Sequence, residues 1–355
     1  MSEHELKWSY CPVCGNKLPN LEGLKFCTKC GLDLLYIKEN MKFPPNQSIK
    51  VSSEQHRIGL YPSFKSETKR ISDEDLIRSK DLKLWGGIAS IGLPLLAFIL
   101  MNIITLFIIS FFLIFSMNLN DISNLIFNPY IIIISSLAEL IFIIVPILFV
   151  GRYLQNPTLK NRFMILGVTS KGYRNVELFK EIIIGIAFAL IGILLVNVVS
   201  IFVEISLEFF FGIEIIQEIA SSSGEFNAII YSSDLYSLIL LTIVMILVIG
   251  TSEEILFRGF MQKGLVRSIG KNWGILITAF IFSMIHLIGI FLIIPFDSTY
   301  FIISFLLYFF PYFTLSLMLG LLFYWRKENL IAVMITHGVY NPVTIIIAYI
   351  FFNFI

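Results

Sequence analysis

The sequence predicts an all-α polytopic membrane bundle of seven to eight transmembrane helices, preceded by a small cysteine-bearing domain. Two features of composition carry this prediction. The 355 residues are 57% hydrophobic and only 14% charged, whereas soluble domains are about one quarter charged. The charge is also uneven, because residues 1–83 are polar and lysine-rich and almost everything after Leu84 is apolar. A bilayer core about 30 Å thick needs roughly 20 apolar residues per helix, and several runs reach that length.

The N-terminal domain is defined by the only four cysteines in the chain, which are Cys11, Cys14, Cys27 and Cys30. They form two Cys-x-x-Cys-Gly knuckles separated by residues 15–26. Four thiolates in this spacing make a closed, structural zinc site without an open position for catalysis. We therefore expect a zinc ribbon over residues 1–34 that binds a structural Zn²⁺, followed by a polar linker over 35–83. A cytosolic protein partner that docks on the ribbon is a further expectation.

Seven apolar segments follow, and each is predicted to cross the membrane. They run over residues 84–117, 130–150, 179–211, 235–260, 273–296, 299–325 and 330–355. The first and third are longer than one straight crossing needs, so they are tilted or broken, and an eighth element fits within them as a re-entrant pair.

The lysine and arginine residues predict the orientation of the bundle. All 26 lie before Leu84 or in the segments 152–180, 258–271 and 326–327. The alternate loops contain acidic residues and neither Lys nor Arg, and they are 118–129, 212–234 and 297–298. Because basic loops stay in the cytoplasm, we expect a multi-pass protein in the lipid bilayer with its N-terminus cytoplasmic. The net charge of +1 gives no reason to expect a nucleic-acid partner.

Ionisable side chains at membrane depth are costly and therefore mark candidate functional positions. The fourth apolar segment carries Glu253, Glu254 and Arg258. Glu254 and Arg258 stand at i and i+4 on a helix, in the favourable order for an ion pair. Glu253 is rotated by about 100° from Glu254 and need not share that arginine, which makes it a candidate general base. The alternative is a solvated helix end with a surface ion pair.

Two histidines and an asparagine complete the set of candidates. His286 lies one turn after Phe282 in the fifth segment, and His337 lies one turn before Asn341 in the seventh, so each pair shares a helix face. Each residue alone also fits a packing role. Glu139 in the second segment matches no motif, and either a pair with Arg258 or a position on a water-filled cavity would explain it.

The order of these motifs is more specific than any one of them. EExxxR, then FxxxH, then HxxxN, each on a membrane helix, resembles the CAAX-processing and bacteriocin-processing (CPBP, also called Abi) intramembrane proteases, which include the type II CAAX prenyl endopeptidases. The resemblance covers roughly residues 84–355. It implies an all-helical fold, usually of eight transmembrane helices, to which the zinc ribbon is an addition. It also implies an endopeptidase in the plasma membrane of a prokaryote.

The resemblance implies a role for each motif residue. Glu253 and His286 would activate a water for attack on a peptide carbonyl of a membrane-associated peptide or protein, on the cytoplasmic side. His337 and Asn341 would stabilise the oxyanion. These residue types supply a base and hydrogen-bond donors. A catalytic Zn²⁺ bound by Glu253 and both histidines stays open as an alternative.

Glu254 with Arg258 would hold the fourth helix and so the geometry of the general base. Two other classes of function remain alternatives. One is a non-catalytic membrane immunity or scaffold protein on the same fold. The other is a transporter or channel, which requires polar residues through the outer half of the bundle. That half is mostly Ile, Leu and Phe, with Glu204 and Glu208 as the main exceptions.

Overall fold

The structure is a computed structural model, and it is helical over most of the residues that it describes. These are residues 10–11, 17–18, 25–27, 32–40, 76–78, 83–116, 128–170, 175–222, 233–291 and 298–354. The chain divides into two compact units, Met1–Ser66 and Glu67–Ile355.

Among its described residues, the N-terminal unit contains two short antiparallel pairings and one helix. Tyr10 pairs with Lys17, and Phe26 pairs with Asp33. Each pairing brackets one of the two predicted knuckles. The helix Leu34–Asn40 follows directly, so the start of the segment predicted as linker is helical.

The second unit contains seven helical segments that are long and apolar enough to cross a membrane, within the residues described. They are Gly87–Ser116, Pro129–Tyr153, Asn175–Phe211, Leu235–Ile269, Lys271–Phe291, Ser298–Trp325 and Ile331–Phe354. We number them spans 1 to 7. Two shorter helices, Leu159–Ile165 and Ile213–Ser222, lie between spans. The count of seven agrees with the apolar segments of the sequence, although span 4 continues to Ile269 rather than ending near residue 260.

Span 4 is not a uniform α-helix. It consists of α-helical Leu235–Val244, π-helical Met245–Ile249, α-helical Gly250–Glu254, π-helical Ile255–Gln262 and α-helical Lys263–Ile269. π-helical turns are rare and occur frequently at functional sites. Here they flank the turn that carries both glutamates of the EExxxR motif.

Spans 4 and 5 form an antiparallel hairpin that turns at Gly270, whose φ of 83° favours glycine. By the helical rise of 1.5 Å per residue, Glu253 lies about 24 Å before Ile269 on one arm. On the other arm His286 lies about 22 Å after Lys271. The two arms therefore bring these side chains to the same level of the bundle.

Small residues let span 7 approach spans 3 and 4 closely, as is usual for helices that pack in a membrane. A Cβ on Gly250 of span 4 would lie 2.6 Å from the Cα of Gly338. On the other side of span 7, Thr336 Oγ1 donates to the carbonyl of Gly185 on span 3 at 3.0 Å. Span 7, which carries His337, is thus fixed between two neighbours at this level.

The two ends of the bundle differ in charge. One end, here called the basic end, carries the segments 152–180, 258–271 and 326–327. There Arg326 pairs with Glu181, and Lys263 pairs with Glu328 at 3.2 Å. These contacts tie the basic ends of spans 3, 4, 6 and 7 together.

The opposite end, here called the acidic end, has loops without Lys or Arg. Tyr300 donates to Glu218 at 2.7 Å, and Tyr130 donates to Asp234 at 3.1 Å. Asp234 also caps the first turn of span 4, where its Oδ1 accepts the backbone N–H of Ser237 at 2.6 Å. That backbone hydrogen bond is the main reason why the pKa of Asp234 lies below its ordinary value.

Candidate active site

A cavity of about 620 Å³ lies inside the bundle, with walls formed mainly by spans 3 to 7. Glu253, His286, His337 and Asn341 all line it, together with Glu139 of span 2. The structure therefore brings the four residues that the motifs suggested for chemistry, which we call the quartet, to one shared space.

Glu253 is the centre of the quartet. Its Oε1 lies 3.6 Å from Nε2 of His286, and its Oε2 lies 3.6 Å from Nε2 of His337. Both separations are slightly longer than a hydrogen bond. The side chain is largely buried, and its Oε2 has no hydrogen-bond partner within the part of the chain described. One oxygen of this carboxylate is thus buried without a hydrogen-bond partner among the described residues.

The two imidazoles are oriented by hydrogen bonds on their far sides. Nδ1 of His286 lies 2.8 Å from the carbonyl oxygen of Phe282. Because a carbonyl only accepts, Nδ1 of His286 donates to it, and Nε2 is directed to Glu253. Nδ1 of His337 lies 2.7 Å from Oε1 of Glu254 and donates to it in the same way. Both rings therefore direct Nε2 to the general-base candidate.

Glu254 and Arg258 form the predicted ion pair, with Nη1 donating to Oε1 at 2.8 Å. Both side chains are fully buried, so the alternative of a solvated surface pair is wrong. Nη2 of Arg258 also donates to the hydroxyl of Ser316 on span 6 at 2.8 Å, and the guanidinium carbon lies 4.7 Å from the centre of the Phe282 ring. Since Glu254 also accepts from His337, this pair connects spans 4, 5, 6 and 7 directly behind the quartet.

Glu139 lies on a short 3₁₀ turn, Leu137–Leu140, within span 2. Its Oε2 accepts from the hydroxyl of Ser252 at 3.2 Å, and its carboxyl group is close enough to Glu253 for electrostatic interaction. It faces the cavity, while Arg258 pairs with Glu254 instead. Glu139 matches no motif, so no motif predicts its place on the cavity. The indication in the sequence is a glutamate in the middle of an apolar run.

Glu253 and the two histidines of the quartet are residue types that bind metal ions. Among the described residues, no group of three His, Cys, Asp or Glu side chains is arranged to hold one metal ion. The alternative of a catalytic Zn²⁺ bound by Glu253 and both histidines stays a prediction. In the N-terminal unit, Cys11 and Cys27 are buried in one small cluster with Leu18, Leu32, Leu34 and Ile37. Cys14 and Cys30 lie outside the described residues.

The seven candidate spans and the buried site define the class of the chain, which is an integral multi-pass membrane protein. Residues 234–343 match the family model described as type II CAAX prenyl endopeptidase, Rce1-like. This range contains all seven motif residues from Glu253 to Asn341 and supports the similarity to the CPBP proteases. Comparisons with curated proteins and with solved structures found no match.

Proposed function

We propose that the protein is an intramembrane endopeptidase that hydrolyses a peptide bond of a membrane-associated peptide or protein. The observation that carries the proposal is the convergence of three helices on Glu253, which lines the cavity and lies 3.6 Å from each of two imidazoles. A buried carboxylate is costly unless it is paired, so the presence of Glu253 in the cavity wall fits a reactive group. The family match over residues 234–343 supports the same class of reaction.

In the proposed reaction, a water on the cavity side lies within hydrogen-bond distance of both Oε1 of Glu253 and Nε2 of His286. The water transfers a proton to this acid–imidazole pair while its oxygen attacks the peptide carbonyl. The same proton then passes to the leaving amine nitrogen when the C–N bond breaks. The second proton of the water then passes from the new carboxyl group to the amine, so the products are a carboxylate and a protonated amine.

His337 and Asn341 would stabilise the oxyanion of the tetrahedral intermediate. The Nδ1 proton of His337 is committed to Glu254, so this ring can donate from Nε2 only as the imidazolium. Glu254 at 2.7 Å and Glu253 at 3.6 Å are the acidic neighbours of this ring. Arg258, paired with Glu254 at 2.8 Å, is proposed as a positioning residue that holds this carboxylate in place.

Glu253→Gln tests the proposal, because the change keeps the shape of the side chain and removes the base. Purified wild-type protein in proteoliposomes should cleave membrane-anchored peptides, and Glu253→Gln should lose on the order of 10²–10⁴-fold in kcat. Glu208→Gln is the matched control, since Glu208 lies on span 3 and does not line the cavity. Equal activity in all three proteins, or none in wild type against a broad peptide set, would favour the scaffold alternative.

For the N-terminal unit, we propose the predicted structural Zn²⁺ bound by Cys11, Cys14, Cys27 and Cys30. Two of these cysteines are buried in the same small cluster. The antiparallel pairings that bracket the two knuckles fit a zinc ribbon. Such a closed site would stabilise the unit and leave catalysis to the membrane bundle.

A further inference from the structure

Span 6 contributes none of the quartet residues, yet one face of it contacts the site at two places. Tyr312 and Ser316 lie four residues apart on this span and therefore project from the same face. Tyr312 lines the cavity, and its ring packs against the imidazole of His286 with the ring centres 4.8 Å apart and the planes tilted by 34°. Ser316 accepts from Nη2 of Arg258 at 2.8 Å. The same face of span 6 thus supports both the quartet and the ion pair behind it.

His286 has a second aromatic neighbour on its own helix. Phe282 lies one turn earlier on span 5, and its ring centre is 4.2 Å from that of His286, with the planes tilted by 31°. Among the described residues, Phe282 and Tyr312 are the aromatic rings in contact with this imidazole. Stacked aromatic pairs stabilise one another beyond the area that they bury. The His286 ring is therefore held by one contact from span 5 and one from span 6.

These contacts form a closed chain through spans 4, 5 and 6. Phe282 contacts His286 on one side, and the guanidinium carbon of Arg258 lies 4.7 Å from the centre of the Phe282 ring. Arg258 of span 4 then connects back to span 6 through its hydrogen bond to Ser316, one turn from Tyr312. A displacement of any one of these three helices is thus opposed by contacts to the other two.

The hydrogen bond at Nδ1 does not by itself fix the plane of the His286 imidazole. It joins Nδ1 to the carbonyl oxygen of Phe282 at 2.8 Å. The ring can still tilt about this contact, because the second side-chain torsion of histidine has a broad preference. The direction of Nε2, which lies 3.6 Å from Oε1 of Glu253, changes with that tilt. Packing on the ring must therefore supply the remaining restraint, and Tyr312 supplies the part that comes from another helix.

We propose that Tyr312 is a positioning residue of the active site, whose ring holds the His286 imidazole in the plane that directs Nε2 to Glu253 and to the reacting water. The inference rests on the endopeptidase activity proposed above, and it extends the functional residues of that site to span 6. Tyr312 acts through its aromatic ring and not through its hydroxyl, so phenylalanine should replace it. Leucine fills space but cannot stack, so it should not.

The first measurement compares three variants of span 6 with wild type, as full-length protein in proteoliposomes with a membrane-anchored peptide. Tyr312→Leu should lower kcat by about 10- to 100-fold, because a misplaced catalytic group slows the reaction by that order. Tyr312→Phe should retain kcat within about threefold, because it keeps the stacked ring. Phe310→Leu is the matched control, since it removes a ring from an exposed position of the same span outside the cavity wall, and it should keep the wild-type kcat.

The second measurement follows the His286 ring without substrate. Purified protein with isotope-labelled histidine gives few NMR signals, because the chain has only four histidines, and His286→Gln identifies the signal of this residue. A proton above the face of an aromatic ring resonates upfield. The His286 signal should therefore move downfield in Tyr312→Leu and stay in place in Tyr312→Phe and Phe310→Leu. A role of Tyr312 confined to the stability of span 6 would leave this signal unchanged.

Three results would overturn the inference while the peptidase stands. They are an unmoved His286 signal in Tyr312→Leu, a kcat of Tyr312→Leu equal to that of Phe310→Leu, and an equal loss of kcat in Tyr312→Leu and Tyr312→Phe. If Tyr312→Leu does not fold, Tyr312→Met answers the same question, because methionine fills irregular space without an aromatic ring.

Failure of the proposed function gives a different result. If wild type cleaves no peptide from a broad membrane-peptide set, the peptidase proposal fails, and the positioning role of Tyr312 fails with it. The two failures are therefore distinguished by whether wild type cleaves any peptide.

Discussion

Gly250→Ala is the most direct test of how the quartet is assembled. The new Cβ would lie 2.6 Å from both Cα and N of Gly338, whereas ordinary contacts begin at 3.4 Å. Neither neighbour is a side chain that can rotate away, so spans 4 and 7 must separate by about 1 Å, and His337 moves with span 7. A misplacement of about 1 Å at a catalytic site can cost about 100-fold in rate. That loss corresponds to about 2.7 kcal/mol in the barrier.

The assay is kcat for peptide hydrolysis in proteoliposomes, with the thermal unfolding midpoint measured on the same preparations. Gly92→Ala is the matched control, because Gly92 lies in span 1 and a Cβ there meets nothing within 4 Å. Overpacking at Gly250 should also lower the free energy of unfolding by about 1–3 kcal/mol. If folded Gly250→Ala retained a kcat within about twofold of Gly92→Ala, the close crossing of spans 4 and 7 would not position the site, contrary to the 1 Å argument.

Three further predictions concern stability and metal content. Ser316→Ala removes a hydroxyl that accepts a hydrogen bond from Arg258, so it should lower the free energy of unfolding by about 1.5–3 kcal/mol. Ser304→Ala on the same span is the control, because that hydroxyl has no partner among the described residues. In thermal unfolding this control should be neutral or stabilising. Asp234→Ala should lower the thermal unfolding midpoint at neutral pH. Because the pKa of Asp234 is lowered in the folded state, its carboxylate cap stabilises the protein above the ordinary aspartate pKa. The difference in midpoint between the variant and wild type should therefore close only below about pH 4. Metal analysis of purified protein should find about one zinc per chain, which Cys11→Ser should remove; full zinc content in that variant would contradict the ribbon.

The membrane spans and the ion pair could be predicted because each depends on local sequence. Apolar runs of sufficient length identify the helices, and the i,i+4 spacing of Glu254 and Arg258 places both on one face. The hydrogen bond from His337 to Glu254 joins residues 83 apart in the chain. No local pattern predicts that contact, because it depends on how spans 4 and 7 cross.

Two other features of the site could not be predicted for different reasons. The π-helical turns on both sides of Gly250–Glu254 are set by packing, since residues such as Met245–Ile249 also suit an ordinary helix. The position of Glu139 on the cavity depends on the rotation of span 2, which a uniformly apolar segment does not specify. The sequence showed that this glutamate was costly but not which group it faces.

The hairpin that turns at Gly270 has a consequence for how the length of this region can vary. Glu253 and His286 meet because almost the same number of residues separates each of them from Gly270. An insertion or deletion confined to one arm would shift one of these side chains along the membrane normal and rotate it by about 100° per residue. Related chains should therefore tolerate length changes here only when both arms change together, with the glycine turn carried further from or nearer to the bilayer centre.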